Sequence, residues 1–217
     1  IYLQNAITGD FGDSMTRKGT AVTDIIARCL PATIKLGLAA FTIAITVGVT
    51  LGIVAAFTKR KWVENLVMFV ATIGISVPSF LYAMLLMIVF GVMLGWLPII
   101  GLKTPLHYIM PAFSLALYPI SMITRLVRTS MKEVMKQDYI VLARSKGTPT
   151  IKVILGHALK NCLIPVVTYA GPLLAFLITG SFVIESLFSI PGIGSEFVNS
   201  VTNRDYTMIM ALTILFG

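Results

Sequence analysis

Apolar residues in this chain come in long unbroken runs, and charged residues mark where each run ends. Between Lys35 and Lys59 lie 23 uncharged residues, between Glu64 and Lys103 lie 38, between Lys103 and Arg125 lie 21, and between Lys160 and Glu185 lie 24. At a rise of about 1.5 Å per residue, a helix needs about 20 apolar residues to cross the hydrocarbon of a bilayer. The runs predict four full spans, at about 31–58, 64–94, 105–136 and 158–185, and the start of a last one at 206–217. The longest run exceeds one straight crossing. Its helix is therefore placed at 64–94 with a bend at Pro78, and Gly95–Leu102 becomes an interfacial loop containing Trp96 and Pro98. The runs do not alternate, which argues against a β-barrel. The expected fold is all-α: a single polytopic helical bundle over 1–217, with irregular segments at 1–30 and 186–205. The chain opens at Ile1 and closes on an apolar run of about half a bilayer span, so it reads as lacking a first span and the end of the last.

Composition supports the same class. Of 217 residues, 57% are hydrophobic and only 12% charged, and the mean hydropathy is +0.91. About 25% charge is usual for a soluble domain, so a soluble enzyme of ordinary surface is excluded. The net charge of +8 becomes informative once it is sorted by side. Lys59, Arg60 and Lys61 fall in one loop, and Arg125, Arg128, Lys132, Lys136, Arg144, Lys146, Lys152 and Lys160 in another on the same side. The opposite side carries Arg17, Lys18, Arg28, Lys35, Lys103 and Arg204, balanced by Asp10, Asp13, Asp24, Glu185, Glu196 and Asp205. Basic loops stay in the cytoplasm, so the first set is expected inside and the whole excess is a topology signal. Cys29 then lies outside and Cys162 near the inner face, which predicts that they do not pair.

The inner segment 124–160 is the most informative part. Arg125, Arg128, Lys132 and Lys136 recur at helical spacing, as if the third span ran on beyond the membrane. Asp138 reads as the N-cap of a short helix that stops at Gly147, with Pro149 beyond it. Tyr139, Ile140 and Leu142 are available on that helix for contact. The pattern fits a docking surface for another protein, and equally a basic loop on lipid headgroups.

The segment Asp138–Pro165, DYIVLARSKGTPTIKVILGHALKNCLIP, resembles the "EAA" loop of permease subunits in binding-protein-dependent ABC importers. That loop has the form E-A-A, three residues, Gly, nine residues, I-x-L-P. Aligned on Gly147, this chain keeps Ala143 and Leu159, with Val141, Leu142, His157 and Lys160 in place of the Glu, the first Ala, the Ile and the Pro. GDFGDS at 9–14, LPAT at 30–33, SVPSF at 76–80, LGWLP at 94–98, RLVRTSMKEV at 125–134, IPGIG at 190–194 and NRDY at 203–206 are similar to the peptide-importer branch, in order along the chain. The resemblance is to the first permease subunit of oligopeptide importers, with dipeptide, nickel and glutathione permeases as near relatives.

The resemblance implies a type I ABC importer permease fold in the cell membrane, with the short inner helix as a coupling helix seated on an ATPase subunit. Tyr139, Ala143, Arg144, Lys146 and Gly147 would lie at that joint. It implies as partners a second homologous permease, two ATP-binding subunits that hold ATP and Mg, an extracytoplasmic solute-binding protein and a peptide substrate. It implies no cofactor in this chain and no nucleic acid. The loop beyond the fourth span, with Glu185, Pro191, Gly192, Gly194 and Arg204, would face the binding protein; a solvated re-entrant turn is the plainer reading. Glu185 is expected to cap the outer end of that span.

Polar groups inside the spans are candidates for the path: Ser76, Ser79, Tyr82, Ser114, Tyr118, Ser121 and Tyr169, together with Thr168 and Thr179. Such groups line a cavity or bond the backbone and join helices, and the pattern leaves both open. Gly48/Gly52 and Gly91/Gly95 form G-x-x-x-G pairs that permit close packing within the chain or against a partner. No phosphate-binding G-x-x-x-x-G-K-[ST] occurs in the sequence, and His107 and His157 fall on opposite sides, so neither nucleotide nor metal binding is expected. Asp10 and Asp13 read as solvated loop residues rather than a catalytic pair. An ion channel or ATP-independent carrier would want charge inside the spans, and their uncharged interiors argue against it.

Overall fold

The computed structural model describes residues 9–217, except for the side chains of Arg144, Thr150 and Leu155. Helix follows helix: α1 (Val22–Phe57), α2 (Lys61–Ser76), α3 (Ser79–Leu86) continuing as a π turn (Met87–Met93), and a 3-10 turn (Pro105–Tyr108) leading into α4 (Ile109–Val134). Then come α5 (Asp138–Ser145), α6 (Thr150–Val153), a π turn (Ile154–Ala158), α7 (Leu159–Cys162), α8 (Ile164–Thr179), α9 (Phe182–Leu187), α10 (Ile193–Thr202) and α11 (Tyr206–Phe216). The one bridge among the described residues is the isolated antiparallel pair Asp13–Ala21.

Among the described residues three helical stretches are long and apolar enough to cross a membrane, Val22–Phe57, Pro105–Val134 and Ile164–Leu187, and the pair Lys61–Ser76 with Ser79–Met93 makes a fourth if taken as one broken span. The break sits where Pro78 excludes the preceding residue from the helical region: Val77 is extended, with φ −98° and ψ 129°. Pro119 and Pro172 lie inside unbroken helices. Pro165 is the second residue of α8, a first-turn position whose missing N–H is no loss.

Two corrections to the expected irregular segments follow. Helix α1 begins at Val22 rather than near 31, and it carries Asp24, Arg28 and Lys35 on its first turns. At 36 residues it is about 54 Å long, far more than the roughly 30 Å of hydrocarbon, so its charged beginning need not enter the apolar layer. Segment 186–205 is likewise folded, because α10 packs with α9 and α11.

Packing divides the chain into two compact units, one of residues up to Ala40, Ser79–Leu115 and Ala175–Gly217, the other of Phe41–Pro78 and Ala116–Leu174. The division falls inside α1, α4 and α8, where no polar linker marks it in the sequence. In the first unit Val22, Ile25 and Ile26 bury against Ile193, Met208, Ala211 and Leu212. Phe182, Phe197 and Phe216 close this core with ring centroids 4.9–5.7 Å apart.

A loop at 13–21 is bound onto the same unit through Asp205. This buried carboxylate accepts hydrogen bonds from the Ser14 hydroxyl, the Thr16 hydroxyl at 2.9 Å, and the backbone N–H groups of Met15 at 3.1 Å and Met208 at 3.2 Å. It is therefore both the N-cap of α11 and the anchor of the loop. Arg17 adds an ion pair to Glu196 at 2.8 Å. Burial opposes the charged form of Asp205, but the hydrogen bonds from Ser14, Thr16, Met15 and Met208 outweigh it and hold the carboxyl below its ordinary value of 3.8. A carboxyl depressed by folding stabilises the protein above the unfolded value, and loses that contribution as pH falls through the folded one. Asp205→Asn should lower the thermal midpoint in detergent at pH 7. The gap from the parent should close as pH drops below 3.8. A gap that is constant with pH would show that the charge contributes nothing.

Candidate functional site

In the second unit, 124–162 forms a supported platform. The α4 stripe is partly neutralised: Arg128 Nε donates to Glu64 Oε1 at 2.9 Å, and Arg128 Nη2 and Lys132 Nζ reach the same oxygen. Arg125 and Lys136 stay exposed. Below them, Met131, Ile140, Val153, Ala158 and Cys162 form a buried cluster, with Ile53, Ala56, Phe57 and Ala143 packed against it. Helix α5 is therefore seated on its own chain through Ile140 and Ala143. This corrects one expectation, since Ile140 is fully buried and not turned outward for contact, while Ala143 is partly buried.

The exposed face of α5 belongs to Tyr139, Val141, Leu142 and Lys146. Val141 was not singled out from the sequence, although an apolar residue beside Leu142 on a short polar helix was the available signal. The Tyr139 hydroxyl accepts from Asn161 Nδ2 at 2.7 Å, which ties α5 to α7. The side chain of Arg144 lies outside the described residues.

The helix ends follow from local chemistry. The first i→i−4 bond runs from Val141 N–H to the Gln137 carbonyl. Gln137 is therefore the N-cap, and Asp138 sits in the first turn, where its charge complements the helix dipole. At the other end Gly147 takes φ +78°, and the N–H of Thr148 reaches back to the Ala143 carbonyl at 3.3 Å. That is a Schellman stop, which needs the left-handed residue that glycine supplies.

The expected path residues separate by environment. Ser114 and Ser121 are buried and donate to the Met110 and Leu117 carbonyls at 2.8 and 2.9 Å, and Ser121 also fills the space beside Gly74. Both hydroxyls are thus spent on the backbone of their own helix. Ser76 is exposed but donates to the Thr72 carbonyl at 2.9 Å. Ser79 and Tyr82 are half-buried, as is Tyr169, whereas Tyr118 is exposed. Thr168 and Thr179 donate to the Ile164 and Phe176 carbonyls.

In the first unit, Pro191 and Arg204 are exposed, whereas Glu185, Gly192 and Gly194 are buried. The expectation that Glu185 faces a partner at a helix end is corrected: the carboxylate is fully enclosed. It accepts from the Thr33 hydroxyl at 3.0 Å and from the Ser195 N–H at 3.1 Å. Thr33 was not among the sequence candidates. An ionisable residue closing a 24-residue uncharged run was the signal for Glu185, and nothing local marks its partner. Arg204 holds a left-handed backbone, φ 59°, which turns the chain so that the Asp205 N–H meets the Ser200 carbonyl at 2.9 Å. Both cysteines are free, and among the described residues no cluster of metal ligands occurs.

Bent and broken apolar spans with a short helix seated on its own chain define a class, a polytopic helical membrane protein. The inward-facing MetNI methionine ABC transporter has this fold, with a TM-score of 0.70 at 17% identity over 88% of this chain and 89% of that one. An amino acid ABC transporter crystallised with histidines gives 0.67 at 15% identity, over 89% and 86%. Over residues 48–217 the chain belongs to the family of binding-protein-dependent transport system inner membrane components. It is 42% identical to the oligopeptide transport system permease protein of Haemophilus influenzae, over all of this chain and 72% of that one. It is also 42% identical to the dipeptide transport system permease protein of Bacillus subtilis, over all of this chain and 70% of the relative. The oligopeptide permease of Escherichia coli K12 is 44% identical, over all of this chain and 71% of that one. The protein is thus a multi-pass inner-membrane permease component that depends on a binding protein and on ATPase partners, and is not itself catalytic. That membership replaces the alternative of an ATP-independent channel or carrier.

Proposed function

We propose that this chain forms half of the translocation path of an ATP-driven peptide importer. The other half is a second homologous permease; two ATP-binding subunits sit beneath, and a solute-binding protein delivers substrate from outside. The observation that carries the reading is identity above 40% with oligopeptide and dipeptide permeases along the whole chain. The basic side, with α5, faces the cytoplasm.

In this reading Tyr139, Val141, Leu142 and Lys146 on the exposed face of α5 meet the ATPase, with Arg144 and Gly147 beside them. The two sides of the helix divide the work. Ile140 and Ala143 hold it to α1, α4 and α7, so that a push from the ATPase moves those helices and not only the loop. Tyr118, Tyr169, Tyr82 and Ser79 remain the path candidates, and Pro191 and Arg204 the contacts for the binding protein. Selection among solutes resides mainly in that protein, and the path need only be tolerant.

Oligopeptides are the proposed substrate, with dipeptides, nickel or glutathione as alternatives within the same family. The test is uptake of labelled two- to five-residue peptides, glutathione and nickel by the complete complex in vesicles. ATP- and binding-protein-dependent accumulation of the longer peptides is the expected result. Accumulation of nickel or glutathione without peptide would overturn it.

A further inference from the structure

Helix α10 begins with an N-cap that cannot cap, because Gly192 offers no side chain to the N–H groups of the first turn. Those groups are met from elsewhere in the chain. Ile193 N–H donates to Thr33 Oγ1 at 2.9 Å, and Ser195 N–H to Glu185 Oε2 at 3.1 Å. The Thr33 hydroxyl in turn donates a hydrogen bond to Glu185 Oε1 at 3.0 Å, across 152 residues of sequence. Helix α10 is therefore capped by a threonine of α1 and a glutamate of α9.

The cluster has the marks of a demanding site. Glu185 is fully buried, and among the described residues no Lys or Arg pairs with it. A buried carboxylate is costly unless donors surround it, and here the first turn of a helix supplies them. A Cβ on Gly192 would overlap both Glu185 Oε2 and Thr33 Oγ1, one on Gly194 would come within 2.9 Å of Oε2, and one on Gly180 within 2.7 Å of Oε1. The Thr33 hydroxyl and the Ser195 N–H donate to different oxygens of the carboxylate, and a glutamine would put an amide NH2 in place of one of those acceptors. Apolar packing would hold these helices at lower cost; a directional cluster fixes one arrangement. Such fixing is needed here because α8 ends at Thr179 and the chain turns at Gly180, φ +92°, a ready pivot for everything after it.

We propose that Thr33 and Glu185 are a positioning pair for transport, which latches the outer segment 181–195 to the outer part of α1 so that the two move together as the path opens and closes. This rests on the proposed function. The test uses the full complex with its binding protein in vesicles and the variants Thr33→Val, Thr33→Ser, Glu185→Gln and the double variant Thr33→Val/Glu185→Gln. Thr33→Val and Glu185→Gln should leave assembly and basal ATP hydrolysis unchanged. The stimulation of hydrolysis by loaded binding protein, and peptide import with it, should fall about tenfold, as expected for a lost hydrogen bond to a buried charge. Thr33→Ser keeps the hydroxyl and should match the parent. The double variant should be no worse than the worse single, because the residues act as one unit.

Parent-level stimulation in Thr33→Val would overturn the proposal, as would additive losses. So would a fall in basal hydrolysis and complex yield that matches the fall in import, since that is what a merely structural role gives. If Glu185→Gln does not assemble, Thr33→Val against Thr33→Ser decides. If the parent complex imports no peptide, the substrate reading fails, while the ratio of stimulated to basal hydrolysis still tests the latch.

Discussion

A Gly147→Val complex should insert, assemble and hydrolyse ATP, yet lose peptide import by at least about tenfold, the scale of a coupling free energy between sites. The reason is conformational and not a matter of space. A Cβ at Gly147 meets nothing within 4 Å, but the backbone sits at φ +78°. A β-branched residue resists that region, and L residues in general pay about 1–2 kcal/mol there. The chain would relax by giving up the bond from the Thr148 N–H to the Ala143 carbonyl, and the end of α5, the proposed contact with the ATPase, would unwind. Gly147→Asn separates this cause from a steric one, because asparagine tolerates the left-handed region. It should retain most of the import. The measurement is peptide uptake and ATP hydrolysis on the same vesicles, and full import by the Val variant would sink the coupling role of α5.

The second large effect concerns stability. Gly48 and Gly52 lie one turn apart on α1, and both face α4. A Cβ on Gly52 would stand 2.5 Å from Val127 Cβ and 2.9 Å from the Thr124 carbonyl oxygen, and one on Gly48 2.8 Å from Ile123 Cβ. Thr124 uses the closeness, donating to the Ile120 carbonyl at 2.7 Å and to the Gly48 carbonyl at 3.3 Å. Backbone cannot retreat as a flexible side chain can. Gly52→Val should therefore destabilise by about 1–3 kcal/mol or more, as overpacking does. Gly171→Ala on α8, where nothing lies within 4 Å, should be neutral or gain up to about 1 kcal/mol from helix propensity. Thermal unfolding of both variants in detergent checks the contrast. Equal midpoints would show that the α1–α4 approach has slack. The second glycine pair is different in kind: Gly91 leaves room for Ile99, and Gly95 turns the chain at φ +63°.

Several features are legible in the sequence alone. The bend at Pro78, the helix 138–145 and its stop at Gly147 depend on residues within a few positions of one another, and local sterics decide them. What failed was whatever depends on distant neighbours. Ile140 read as a contact residue on a short polar helix, until Met131, Val153 and Cys162 came up beneath it. Segment 186–205 read as irregular because its helices are short and its core partners, Val22, Ile25 and Ile26, sit at the other end of the chain.

The amino-acid sequence by itself determined that this protein is helical, lies in a membrane and belongs to an importer. Transfer of each residue into hydrocarbon is nearly a local property, and it sums along a run. Only the tertiary structure decided which polar groups are spent inside the protein. Ser14 with Asp205 and Thr33 with Glu185 are pairs separated by 191 and 152 residues, and a buried carboxylate survives only where donors from several elements converge on it. That convergence is a property of the packed fold, and no stretch of sequence contains it.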